Sequence, residues 1–170
     1  RVKAVVAQAP SLTNPEFRRL MDPERWDNVA AFLLEDRVQR YKTGSVNYMK
    51  VVAPEGEPCI LPGAETYEAY MALKSEAPNW RNEITLESLE KVREFDPISL
   101  IHLMAPAALL VIAAEQDSLI PIDIVKASYD RAADPKKLIV HPIKHFDVYK
   151  DPWLTTVANE AITWFREHLT

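Results

Sequence analysis

The spacing of hydrophobic positions changes along the chain, and the change divides it. Val2, Ala4, Val5, Val6 and Ala7 form a short apolar run stopped by Pro10. That pattern predicts an interior strand of a parallel sheet, with a buried helical segment as the alternative that periodicity alone leaves open. From Asn14 to about Met104 the chain reads as helical or irregular. Asn14-Pro15 and Asp22-Pro23 each place a capping side chain before a proline at the first helical position, so each predicts a helix start. After Pro23, the residues Trp26, Val29, Phe32, Leu33 and Tyr41 recur at helical spacing until Gly44, which tolerates the left-handed backbone that ends helices. Residues 45–63 mix an extended stretch around Tyr48 to Val52 with Pro54, Gly56, Pro58, Pro62 and Gly63, and predict loop. Helical patterns resume over Glu65 to Leu73 and, after a Thr85 cap, over Leu86 to Phe95, while Asp96-Pro97 opens a turn toward His102.

The last third alternates instead. Ala107 to Ala114 is a continuous apolar run, Pro121 to Ala132 predicts a helix, Leu138 to Val140 a strand, and Trp153 to Leu169 a final helix with Leu154, Val157, Ala158, Ala161, Ile162 and Phe165 as its apolar stripe. Strand, helix, strand, helix in that order predicts parallel strands with crossover helices, an α/β class. The first residue is not Met and the strand pattern starts at once, so the expectation is a chain that begins in the middle of a domain.

Composition narrows the options. Across 170 residues, 48% are hydrophobic and 26% charged, ordinary values for one soluble globular domain. The net charge of −5 is spread along the chain, leaving no basic face for nucleic acid or an anionic membrane. A single cysteine, Cys59, excludes an internal disulfide framework and suits a reducing, cytoplasmic setting. The longest apolar stretch, Ala105 to Ala114, is far short of the roughly 20 residues a membrane span needs. No ligand-spaced His, Cys, Asp and Glu and no glycine-rich phosphate loop are present, so neither metal nor cofactor is expected.

In an open parallel sheet, chemistry belongs at the carboxyl ends of strands. Asp117 follows the strand ending at Ala114, and His145 follows the strand ending near Val140. A carboxylate in that position can hold an imidazole in the tautomer that accepts a proton from a nucleophile. Asp117 reads equally as a cap for the helix opening at Pro121. His145 is preferred over His141, which directly continues its strand, and His102 and His168 fit structural roles. Cys59, in Glu-Pro-Cys-Ile-Leu-Pro, reads as a small packed hydrophobe, with a thiol nucleophile as the alternative. Trp26, Tyr48, Tyr67, Tyr70 and Trp80 read either as helix packing or as the lining of an apolar pocket.

The stretches Pro106 to Pro121 and Ala133 to Tyr149, together with the terminal Trp164-Phe-Arg-Glu-His-Leu169, resemble the end of an α/β-hydrolase of the dienelactone-hydrolase-like kind. Arg1 to Pro10 resembles the strand after that family's nucleophile-bearing strand and helix. The resemblance implies an α/β-hydrolase core in residues 1–10 and 97–170, and a helical cap insertion in residues 11–96, as in capped members that include polyketide transferases and thioesterase-like hydrolases. It further implies Asp117 and His145 as the acid and base of a Ser-His-Asp triad, in the family's chain order. The family's G-x-S-x-G elbow is absent: the only glycines are Gly44, Gly56 and Gly63, and none frames a serine. Where family members often carry glycine before the acid and before the histidine, this chain has Glu115 and Gln116, then Ile143 and Lys144.

The expected function is therefore that of a serine-type acyl hydrolase or acyltransferase acting on a small-molecule ester or thioester, with the serine upstream of these residues. The rival expectation is a non-catalytic or partner-completed half of the fold, whose sheet edge is covered by the N-terminal segment or by another chain. A homo-oligomer is compatible with either.

Overall fold

A computed structural model describes residues 2–169. Arg1 and Thr170, the outermost residues of the expected core, lie outside the described residues. The chain divides into two compact units, residues 1–14 with 96–170, and residues 15–95.

The first unit is built on a three-stranded parallel sheet in the order β1-β4-β5, formed by β1 (Ala4–Gln8), β4 (Ala108–Ala114) and β5 (Lys136–His141). Ala4 pairs with Ala108 and Leu109 with Lys136. All of β4 is buried, which explains its unbroken apolar run: a central strand covered on both faces has no polar alternation to display. Because side chains alternate along a strand, Leu109, Val111 and Ala113 pack with Ile101, Val125 and Ala132 on one face. Leu110, Ile112 and Ala114 pack with Ile143, Val148, Val157 and Trp164 on the other. The first layer is closed by α5 (Ile122–Arg131) and the second by α6 (Trp153–His168).

On α6 the buried line differs from the expected stripe. Val157 and Trp164 are buried, whereas Leu154 and Ile162 are each 45% exposed. The helix is rotated so that Trp153, Val157, Glu160 and Trp164, at helical spacing, face the sheet layer. The carboxylate in that line is accommodated by a partner on β5 described below.

The second unit is mainly helical: α1 (Pro15–Met21), α2 (Pro23–Thr43), α3 (Ala64–Leu73) and α4 (Leu86–Glu94). Asp22 caps α2 by accepting from the Arg25 amide, and Gly44 ends it at φ 69, where an L side chain would be strained. Thr85 caps α4 by accepting from the Ser88 amide. The expectation of helix or irregular chain between Asn14 and Met104 is corrected by an antiparallel pair, β2 (Tyr48–Met49), inside the stretch read as extended, with β3 (Ile84–Thr85). Each strand has two residues, too few for a period of two to register in the sequence.

The inner line of α2 begins as expected, with Trp26 and Val29 partly buried and Leu33 buried. It then continues through Asp36 and Arg40 rather than Tyr41, which is 92% exposed. Asp36 accepts from Arg40 Nε at 2.8 Å and from Asn47 Nδ2 at 2.8 Å, while Arg40 Nη2 donates to Glu90 at 2.8 Å. A buried carboxylate persists only with such partners, and this set ties α2 to α4 and to the segment entering β2.

Candidate active site

Asp117 lies three residues past the end of β4, and His145 four residues past the end of β5. Because β4 and β5 are parallel neighbours, both loops leave the sheet at its carboxyl edge, where converging loops build sites in open α/β sheets. Their side chains meet there, with His145 Nδ1 2.7 Å from Asp117 Oδ2. Asp117 Oδ1 accepts the amides of Leu119 at 2.8 Å and Ile120 at 2.9 Å. The carboxyl group thus fixes its own turn with one oxygen and the imidazole with the other. Helix α5 takes no side-chain cap, so the capping alternative for Asp117 gives way to a local turn plus a contact to His145.

Exposure of the side chains is 4% for Asp117 and 14% for His145. Burial pushes the Asp117 carboxyl up, but the His145 hydrogen bond and the Ile120 and Leu119 amides outweigh it, holding the group below its ordinary value. An ionised carboxylate can only accept, so Nδ1 carries the proton and donates, and in the neutral imidazole the lone pair stands on Nε2. Among the described residues His145 Nε2 makes no hydrogen bond.

This lowered pKa predicts a pH effect with a definite sign. A carboxyl group whose folded pKa lies below its unfolded one stabilises the fold above the unfolded value, near pH 4, and that contribution is lost as pH falls through the folded value. Urea-unfolding midpoints are expected to fall more steeply below about pH 4 in the wild type than in Asp117→Asn. Parallel curves would remove Asp117 from the acid response.

The loop bearing His145 is a 3-10 turn, residues His145–Tyr149. Ile143 before the histidine and Val148 after it are buried in the layer shared with α6. The Phe146 ring stands edge-on to the imidazole, with centroids 4.8 Å apart, and Asp147 accepts from the Lys144 amide at 2.9 Å. The non-glycine residues at these positions thus have structural work: Ile143 fills core, and its carbonyl accepts the Gln116 amide at 3.0 Å.

The other candidates lie elsewhere. His102 is exposed on a 3-10 turn, and the His168 ring packs tilted against Trp164 with centroids 4.0 Å apart. His141 is the last residue of β5 and bonds Glu160. In the second unit Cys59 is a free thiol on a cleft of about 390 Å³ whose walls include Val29, Phe32, Met49, Ile60 and Leu89. None of the five aromatic residues lines that cleft, but Trp26 lines a second one of about 470 Å³ in the same unit. Trp26 lies beneath the Arg93 guanidinium at 3.6 Å, Tyr70 packs on Trp80 at 5.7 Å, and Tyr48 is 57% exposed. Among the described residues no group of three or more His, Cys, Asp and Glu could hold a metal ion. No helix among them is long and apolar enough to cross a membrane.

None of the known protein-family profiles matches this chain. Solved structures match its fold throughout. An α/β hydrolase, GrgF of a Penicillium species, superposes with a TM-score of 0.76 at 19% identity over 98% of this chain and 56% of its own. DcsB, solved with a substrate analogue, gives a TM-score of 0.79 at 23% identity over 98% of this chain and 57% of its own. A hypothetical protein of Pseudomonas aeruginosa, PA2218, gives 0.71 at 21% identity over 99% and 54%. Among curated proteins, polyketide transferase ATR5 of Stachybotrys chlorohalonatus is 22% identical over 143 residues, 82% of this chain and 46% of that protein. The fold is that of the α/β hydrolases, parallel sheet and crossover helices included, and the chain spans about half the length of the relatives it matches.

Proposed function

We propose that these residues supply the acid and base of a serine-type acyl hydrolase or acyltransferase acting on an ester or thioester. The observation that carries the reading is the hydrogen bond of 2.7 Å between His145 Nδ1 and a buried Asp117 carboxylate at the carboxyl edge of parallel strands. A serine outside residues 1–170 attacks the acyl carbon, and His145 Nε2 takes its proton. The imidazolium, stabilised by Asp117, returns that proton to the departing alcohol or thiol as the acyl-enzyme forms. His145 then removes a proton from water, an alcohol or an amine, which takes the acyl group and restores the serine. The helical second unit acts as a cap that selects the acyl chain. Transfer to an acceptor other than water has the support of the name carried by the polyketide transferase relative.

A fluorophosphonate probe tests the reading on the full-length protein. Labelling of a serine is expected, and His145→Ala is expected to reduce turnover of an aryl ester by about 10³-fold or more. Full activity of that variant would remove His145 from the role of base. Sequencing the coding region upstream for a G-x-S-x-G elbow checks the nucleophile independently.

A second reading has its own observation: among the described residues β1 stands at the end of the sheet order with only β4 beside it, and all five of its residues are neutral. An unprotected edge of this kind invites another strand. In this reading the chain is a non-catalytic half completed by a partner, and the full-length protein stays unlabelled by the probe.

A further inference from the structure

The mechanism leaves one His–carboxylate pair unused. His141 Nε2 lies 3.0 Å from Glu160 Oε2, with the two side chains 12% and 23% exposed, and the His141 ring packs on Trp153 with centroids 4.9 Å apart. Glu160 occupies the sheet-facing line of α6 between Val157 and Trp164, where an apolar residue would ordinarily pack. A carboxylate in that position needs a donor, and His141 provides it across the layer.

The backbone of His141 is equally committed. Its carbonyl accepts the Glu115 amide at 2.8 Å and the Ile143 amide at 2.9 Å. Glu115 stands two residues before Asp117, and Ile143 two residues before His145. The amide of Gln116 closes the set by donating to the Ile143 carbonyl at 3.0 Å. Both loops that deliver the Asp117–His145 couple are therefore suspended from one residue, and the side chain of that residue is fastened to α6. Trp153 and Val157 of the same helix share the layer with Ile143 and Val148, the apolar residues bracketing His145. Movement of the His141 ring would be transmitted to both loops at once.

We infer that His141 and Glu160 form a positioning pair that sets the geometry of the Asp117–His145 couple, an inference that rests on the catalytic reading given above. The pair touches no reacting atom. It acts by holding the carboxyl end of β5 against α6, so that His145 Nδ1 stays aligned with Asp117.

The test uses the full-length protein labelled with ¹⁵N-histidine, read by the Nδ1–H resonance of His145 and by kcat on an aryl ester. In His141→Leu, and in the double variant His141→Leu/Glu160→Leu, the His145 resonance is expected to broaden. The kcat is expected to fall by roughly 10- to 100-fold, since a misplacement of about 1 Å at a site can cost on the order of 100-fold. The double variant replaces both partners by apolar groups, an exchange that often leaves stability unchanged, so a merely structural pair predicts near-normal kcat there. His141→Gln, whose side-chain amide can reach the position of Nε2, is expected to restore both signals. An unchanged His145 resonance in His141→Leu, or a kcat in the double variant within about twofold of wild type, overturns the inference. If the wild-type protein neither reacts with the fluorophosphonate nor turns over the ester, the catalytic reading fails instead, while the resonance still reports whether His141 holds His145.

Discussion

Asp117→Asn is expected to lower kcat of the full-length protein by about 10⁴-fold, while at neutral pH stability falls only by the contribution of the ionised carboxylate. The reason lies in what each carboxylate oxygen does. Oδ1 accepts the amides of Leu119 and Ile120, and the carbonyl of an asparagine satisfies these donors equally well. That choice turns the carboxamide NH2 toward His145 Nδ1. Two donors cannot share the hydrogen bond, so the imidazole must present its lone pair at Nδ1 and carry its proton at Nε2. Nε2 then cannot take the proton of a nucleophile. The fold keeps its turn, and the chemistry loses its base. Comparing kcat with the thermal midpoint separates these effects. A loss smaller than about 100-fold would fall at the bottom of what general base catalysis contributes and would mean that Asp117 does not orient His145.

The parts of this arrangement that were legible in the sequence are those whose cause is local. Asp22 and Gly44 bound α2 because a cap and a left-handed residue act on their own turn of backbone. Asp117 and His145 could be picked out because each stands just past an apolar run that had to be a strand. What the sequence hid depends on pairing at a distance. Counting apolar residues on α6 favours a face containing Leu154 and Ile162, yet the helix turns Glu160 inward, because its partner, His141, lies nineteen residues earlier on another element. The signal was present in weak form, since Glu160 falls in line with Trp153, Val157 and Trp164. The same holds for α2, where Asp36 and Arg40 replace Tyr41 on the inner line. Their spacing of four marks an ion pair, but only Asn47 and Glu90, brought in by other segments, make its burial tolerable. Of the two short strands, β2 falls in the stretch around Tyr48 to Val52 read as extended, whereas β3 left no pattern because two residues cannot alternate.

Leu110→Ala and Leu109→Ala are expected to cost similar stability and very different activity. The two residues are adjacent on the central strand and are 1% and 3% exposed. Truncating either should destabilise the protein by about 2–5 kcal/mol, the sum of lost burial and the cavity left behind. Leu109 packs with Ile101, Val125 and Ala132, away from the residues that carry His145. Leu110 shares its layer with Ile143 and Val148 on either side of His145, and with Val157 and Trp164 of α6. Packed interiors transmit a volume change to their neighbours. The void at Leu110 therefore lets the His145 turn relax toward the sheet, whereas the void at Leu109 relaxes α5. At a temperature where both variants remain folded, kcat of Leu110→Ala should fall on the order of tenfold below that of Leu109→Ala, with KM changing less. Urea-unfolding midpoints verify that the two losses of stability are comparable. Equal kcat in the two variants would show that the layer beneath Ile143 and Val148 does not hold the histidine, and that its hydrogen bond to Asp117 and the suspension from His141 suffice.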